Sequence, residues 1–547
     1  MEQSHIQLDR KHFWALCLTL FMIAYNLAVM QPIMPLVVRT FDSSMGYVQV
    51  ALVLFSLVAA SFAPTTENLC RFYGREQVFI TGLVCYGIGI TMTALSADIS
   101  VLVVSFAILA GLAATPLVSA PWVLMDAAYD GKAEQKATLA FILSSTFGGL
   151  SGAILGGLIA SRIGWRWAFL PSIAVFLLVL LLGQSLPRTP VKLIREPIDW
   201  VGGLLSLLGL GSILLGISLS GEFGWWLPKR LFSIAGIVIP PFPLSIVPLL
   251  IAVGTVSMGL FLFWQRRQAR RGASLLRVGL LRKQAFVCGM LAGMLHTMVT
   301  TGVQFNLYQL LPTLLNLNPF QTAIAVLPYN LTLLIVLIAL LKYLSIEQKI
   351  APKVVVYIGV GLLAIGLIEL HSVMNAELTG LKLLPGLVTM GVGSALFLAY
   401  IASLTFSVAS QDEIPESRGI YNPVQNLGSS LGRGILGTAL IFFTSQGIVN
   451  GVLATLGKEL SQPERRQAIA TLQRMIQTYA TEEVRSTFAK LPAVVQPELK
   501  TIIHTSALQG TRITLLVALV LAVLCLLLAT PLPGHLRRSN KEVEPTS

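Results

Sequence analysis

Long apolar runs dominate this chain and leave it one class of fold. Runs of roughly 20 mostly apolar residues recur near 13–38, 45–67, 77–97, 99–124, 138–161, 167–186, 200–220, 245–265, 284–311, 319–342, 353–372, 380–408, 424–446 and 511–532, fourteen in all. Twenty helical residues rise about 30 Å, the thickness of a bilayer's hydrocarbon core. Hydrocarbon offers a backbone no hydrogen-bond partner, so each run must close its bonds within its own helix. The chain is therefore read as an all-α integral membrane protein. Composition agrees: 55% of the 547 residues are hydrophobic and 12% charged, about half the charged share of soluble domains. The five cysteines are scattered singly with no CxxC pair, which indicates neither a disulfide framework nor a zinc site. The first run, about 25 residues, is too long for the apolar segment of a cleaved signal and is read as a span that stays in the mature protein.

An even number of spans puts both termini on one side. With cytoplasmic termini, the inside loops collect Arg71/Arg75, Arg188/Lys192/Arg195, Arg266/Arg267/Arg270/Arg271, Arg282/Lys283 and Arg537/Arg538/Lys541. Roughly 23 Lys and Arg then lie on inside loops and tails against roughly 6 on the short outside loops. The net charge of +13 is thus a topology signal in a plasma (inner) membrane protein, not a nucleic-acid footprint, since aromatic residues interleave with only one of these basic clusters, at Phe72 and Tyr73, and no binding module is recognisable. The longest polar segment, 447–510, falls outside, with apolar residues at helical spacing. It reads as one or two amphipathic helices over the outer mouth, as a contact surface for an outer-face or periplasmic partner, or as a plain spacer.

In GGLSGAILGGLIASRIGWRW, Gly148, Gly152 and Gly156 recur every four residues, a face on which a neighbouring helix backbone can approach closely. With Gly157 they fit G-x-x-x-G-P-x-x-G-G, Ala153 standing in the proline position. This resembles the fifth-span antiporter motif of the major facilitator superfamily. IDWVGGLLSLLGLGSILLGISL (198–219) with GEFGWW, LLRVGLLRKQAFVCG (275–289), VLPYN (326–330) and NPVQNLGSSLGRGILGTAL (422–440) are similar, in order, to stretches of its fourteen-span drug:proton antiporter branch. The resemblance implies two six-helix halves around a central cavity with two extra central spans, a 6+2+6 plan. It places an N-terminal bundle at 1–190, the extra spans and a basic loop at 191–275, and a C-terminal bundle at 276–547. It also implies export of a small molecule in exchange for protons, without a cofactor or metal.

Several positions depart from the family's pattern. In PTTENLCRFYGREQVF, which resembles the gating loop G-x-L-a-D-R-x-G-R-R, Gly74 and Arg75 match, while Glu67 and Arg71 replace the glycine and the aspartate. Glu67 and Arg71, one helical turn apart, can form a rearranged charge pair or an exposed surface pair. The fourth-span R-x-x-Q-G reads Ala107-Ile108-Leu109-Ala110-Gly111, without the arginine. Aligned on Pro35, Asn26 stands where many relatives carry an aspartate, and an amide carries no exchangeable charge.

Ionisable groups at membrane depth are costly and are functional candidates by default. Arg433 lies about nine residues, or about 14 Å, into its span, flanked by Gly432 and Gly434. Its charge is either met by carbonyls and hydroxyls or reserved for an anion. His296, Thr300 and Gln304 form one polar stripe at four-residue spacing; the imidazole can exchange protons or simply bond a neighbouring carbonyl. Gln31 and Tyr400 complete the set of wall candidates with Asn26. No P-loop, H-E-x-x-H or G-x-S-x-G motif is present, so the chain is read as a transporter and not an enzyme. The alternatives left open are a facilitator-fold sensor or assembly partner, and a metabolite uniporter or importer. The sequence leaves the substrate open, as a small amphipathic or anionic compound, and the partners expected beside it are protons and membrane lipid.

Overall fold

The computed structural model describes residues 9–43, 45–129, 132–183, 200–223, 226, 233–234, 237–238, 244–269, 280–343, 351–409, 414–478 and 495–534. The basic clusters at 188–195 and 537–541 and the stretch 479–494 of the long loop lie outside the described residues. The order is α1 (Arg10–Thr40), α2 (Met45–Tyr73), α3 (Arg75–Ala94), α4 (Ile99–Val103), a π-helical segment (Val104–Ala110), α5 (Gly111–Ala128), α6 (Lys132–Arg162) and α7 (Leu170–Gly183). Next come α8 (Trp200–Phe223) and α9 (Ile246–Ala269), separated by a two-residue antiparallel pair, Ser233–Ile234 with Ile237–Val238. The last group is α10 (Gln284–Leu315), α11 (Pro319–Tyr343), α12 (Pro352–Val373), α13 (Leu384–Phe406), α14 (Ile414–Leu456), α15 (Gln462–Thr478) and α16 (Leu499–Leu528).

Twelve helices are long and apolar enough to cross a membrane among the described residues, and α2 and α8 stand beside them with 29 and 24 residues. The chain is all-helical in its spans, as the apolar runs require. Helix α14 is longer than hydropathy indicates. Its 43 residues extend about 65 Å, twice the hydrocarbon thickness, and run on to Leu456 into what the apolar pattern places in the outer loop. Hydropathy registers only the part of a helix that lipid covers, whereas backbone bonding continues past it. For the same reason α16 begins at Leu499 and not at 511.

Two apolar cores organise the bundle. The first joins α1, α2, α3, α5, α6 and α7 around Tyr25, Tyr86, Phe106 and Phe169; the second joins α10, α11, α12, α13 and α16 around Leu311, Leu363, Met390 and Ala518. The halves repeat one packing device. In the first half Gly148 and Gly152 of α6 lie so close to the backbones of Phe21 and Tyr25 in α1 that a methyl group would overlap them. In the second half Gly428 and Gly432 of α14 meet Met294 and Met298 of α10 in the same way. Gly156 completes the first stripe against Val29, where a methyl carbon would lie 2.8 Å from Cγ2.

Helices α8 and α9 pack on each other through Gly209 and Gly254. Helix α8 also lies against both α2 and α14, so the inserted pair runs along a seam between the halves. Gly74, at φ +89°, turns the chain between α2 and α3 in a conformation that favours glycine.

Candidate functional site: the seams between the halves

The two halves meet mainly along two helix pairs, α2 with α14 and α6 with α11, and more lightly where α1 touches α10 and α11. Their contacts lie toward the end of the bundle away from the start of α1 and the end of α16: α6 ends beside α1, where Trp165 Nε1 donates to Thr40 Oγ1 at 3.0 Å, and Gly157 meets the start of α11 at Pro319 and Phe320.

Arg433 belongs to the first seam. Matching the glycine pairs of α6 and α14 puts it one residue past the second glycine, the position held by Ala153 in the first half. Ala153 packs into the apolar core of the opposite half. Arg433 likewise crosses to the opposite half, but with hydrogen bonds: Nη1 donates to Leu52 O at 3.0 Å and to Ser56 Oγ at 2.9 Å, both on α2. Nη2 donates to Ser429 Oγ at 2.9 Å on its own helix. One turn away, Ser430 Oγ donates to Val53 O at 3.2 Å. Arg433, Ser430 and Ser56 are 4%, 1% and 5% exposed, so the bonds that cross to α2 are buried. Of the two readings of the arginine, carbonyls and hydroxyls meet its charge in this conformation. A planar fork of fixed donors suits such a bridge, since it bonds α2 twice while keeping a hydroxyl on α14.

A second group of polar residues lies inside the C-terminal half. His296 is 2% exposed and stacks on Phe397 of α13, with ring centroids 4.4 Å apart and planes 16° apart. Neither ring nitrogen has a hydrogen-bond partner among the described residues, so the carbonyl bond expected of a structural histidine is not formed there. Thr300 donates back to His296 O at 3.0 Å. Tyr329 on α11 donates to Ser394 Oγ on α13 at 3.1 Å. Gln304 and Tyr400 are half-buried, Tyr400 against the apolar cluster that holds Phe397.

In the N-terminal half, Asn26 is fully buried and donates through Nδ2 to Tyr86 Oη at 3.1 Å and Ser172 Oγ at 2.6 Å. It thereby ties α1 to α3 and α7. Gln31, half-buried on α1, has an Oε1 without a hydrogen-bond partner among the described residues. At the position of the missing fourth-span arginine, the helix forms its π-helical segment, where Ser105 and Thr93 hydroxyls lie 3.0 Å apart. The side chains of Glu67 and Arg71 lie outside the described residues; Arg75 is half-buried at the start of α3.

Ser56 and Ser430 are the seam residues that sequence reading passes over. Their one signal is a hydroxyl in an apolar span, shared with many serines that only bond their own helix, as Ser61 does with Leu57 O.

Comparisons with known proteins agree with this architecture. Among solved structures, a bacterial homolog of the human lysosomal transporter Spinster, in an inward-facing and unoccupied conformation, superposes with a TM-score of 0.55 at 15% identity, covering 95% of this chain and 96% of that one. The POT family transporter PepTSo gives 0.57 at 14% identity over 96% and 98%. Among curated proteins, the probable actinorhodin transporter of Streptomyces coelicolor is 23% identical over 76% of this chain and 69% of its own length. The multidrug resistance protein Stp of Mycobacterium tuberculosis is 23% identical over 78% and 75%. The quinolone resistance protein NorB of Staphylococcus aureus is 23% identical over 78% and 87%. The Major Facilitator Superfamily profile matches residues 16–432, about three quarters of the chain, and the protein belongs to that superfamily.

Proposed function

We propose that this protein is a secondary active exporter of small amphipathic or anionic compounds, working by alternating access in the plasma (inner) membrane with both termini cytoplasmic. The observation that carries the reading is the pair of seams at one end of the bundle: two halves, each built mainly around its own core, meet there through a few hydrogen bonds, glycine contacts and the crossing of Ala153, as a barrier that must open and reseal requires. Efflux is favoured by the relatives, whose names speak of resistance to drugs and quinolones. Protons are the proposed coupling ion. Asn26 cannot carry one, so His296, buried with two unpartnered nitrogens, is the proposed exchange site, and Gln31, Thr300, Gln304 and Tyr400 are proposed substrate contacts.

The test is flux into inside-out vesicles under an imposed pH gradient, using ethidium, norfloxacin and an anionic aromatic dye. Gradient-driven uptake, lost in Arg433→Ala and His296→Ala at unchanged membrane abundance, is expected. Flux indifferent to the gradient would overturn proton exchange. A second reading, a facilitator-fold sensor or assembly partner, draws on Asn26 and Ala107, where the family's coupling residues are absent. It predicts no flux of any probe.

A further inference from the structure

The two seams that close this end of the bundle are built from different physics. Across α2 and α14 run three hydrogen bonds, Arg433 to Leu52 O and Ser56 Oγ and Ser430 to Val53 O, all buried. Two further elements brace the same seam. Helix α8 lies against both partners and approaches α2 closely, since a methyl group on Gly203 would come within 2.7 Å of Thr65 Oγ1. Helix α15 packs on α14, α2 and α8 together. It is anchored by Arg465 Nε donating to Asn450 Oδ1 of α14 at 2.9 Å and by burial of Ile469, Leu472 and Gln473.

The α6–α11 seam lacks such bonds. Among the described residues no hydrogen bond joins the two helices, and the contact is Gly157 against Pro319 and Phe320 with Ala153 set among apolar side chains. Helix α1 touches both members of this pair, packing closely along α6 and reaching α11 more lightly. Contacts of this kind are non-directional and re-form after sliding apart, whereas a buried guanidinium that leaves its acceptors must find others or be hydrated.

We infer that the halves do not part evenly at this end: α2 and α14, stapled by Arg433 and braced by α8 and α15, form the hinge, and α6 and α11 form the door. Opening is then one-sided and lateral, and exposes a passage between α6 and α11 that faces lipid. An amphipathic compound can leave through it without first entering water. The inference rests on the alternating-access reading and specifies how it is carried out.

Two disulfide pairs test it in full-length protein in nanodiscs, in a parent whose five cysteines are replaced. One is Val53→Cys with Ser430→Cys across the hinge; the other is Gly157→Cys with Phe320→Cys across the door. The reduced form of each is its own control for folding. Amide hydrogen exchange is followed at 157–165 and 316–322, the outer ends of α6, α10 and α11. The hinge disulfide should leave these rates within twofold of the reduced protein, and the door disulfide should slow them at least tenfold. Equal slowing by both bonds, slowing by the hinge bond alone, or slowing by neither overturns the inference. Ethidium efflux from vesicles carrying the cysteine-free parent is measured alongside. Loss of efflux there with the exchange pattern intact would count against the exporter reading and leave the hinge standing.

Discussion

The bond between Arg433 and Ser56 admits a quantitative test. Removing a buried arginine alone confuses several effects, because the loss of its bonds is offset by the desolvation it no longer suffers. A double-mutant cycle of Arg433→Met and Ser56→Ala separates them. Each single change removes the 2.9 Å Nη1–Oγ bond, the double change removes it once, and the excess over additivity is the energy of that bond. Hydrogen bonds between membrane helices average ~0.6 kcal/mol and reach ~1.7 kcal/mol. This one is charge-assisted and 4–5% exposed at both ends, which places it in the upper part of the range. We expect a coupling of about 1–1.7 kcal/mol, or about 5- to 17-fold in the unfolding equilibrium. The assay is reversible unfolding in mixed micelles by denaturing detergent. Arg433→Met paired with Ser429→Ala on the same helix provides the reference within one half. A coupling below about 0.3 kcal/mol for Arg433 and Ser56, within the error of additivity for independent sites, would refute the claim that this bond holds the seam.

His296→Phe should raise thermal stability, because it removes two unpartnered buried nitrogens worth about 1–3 kcal/mol while keeping a ring against Phe397. It should also abolish pH-driven flux, and unaltered flux would remove His296 from the exchange role. Gly152→Val should lower folded yield through overlap with the α1 backbone, at a cost of about 1–3 kcal/mol or more. Gly149→Val, with open space at its Cβ position, should be neutral; equal losses in both, seen by size-exclusion chromatography after heating, would count against the tight α1–α6 contact. Ser461 donates from its amide and hydroxyl to Glu464 and holds that carboxylate below its ordinary value of 4.5. The start of α15 should therefore be most stable above that value and fray as pH falls through the lowered one. In Glu464→Gln, hydrogen exchange at 461–466, corrected for its intrinsic pH dependence, should lose this response.

The spans were legible in the sequence because lipid imposes a single requirement on the backbone, which any apolar run of sufficient length advertises. The glycine stripe of α6 was legible for a related reason: spacing of four on a helix declares one face, and Gly148, Gly152 and Gly156 do face α1. Arg433 announced itself by its depth, but its main acceptor, Leu52 O, is a backbone carbonyl 381 residues away. A carbonyl is common to every residue, so no pattern in α2 could have marked it. The orientation of Asn26 was equally hidden, since facing Tyr86 and Ser172 depends on how α3 and α7 lean on α1. The reach of α14 past the apolar run was invisible to hydropathy because water, too, tolerates a helix.

The length of α14 has a mechanical corollary. Its 43 residues form one continuous helix with Pro423 in its shorter arm, and Arg433 pins it at an interior point, 19 residues from Ile414 and 23 from Leu456. At 1.5 Å per residue the arms are about 28 Å and about 35 Å. A tilt of about 10° around that pin would swing one tip by about 5 Å and the other by about 6 Å the opposite way. On the proposed hinge, α14 would act as a seesaw, with Arg433 as its pivot and α15 riding on the longer arm.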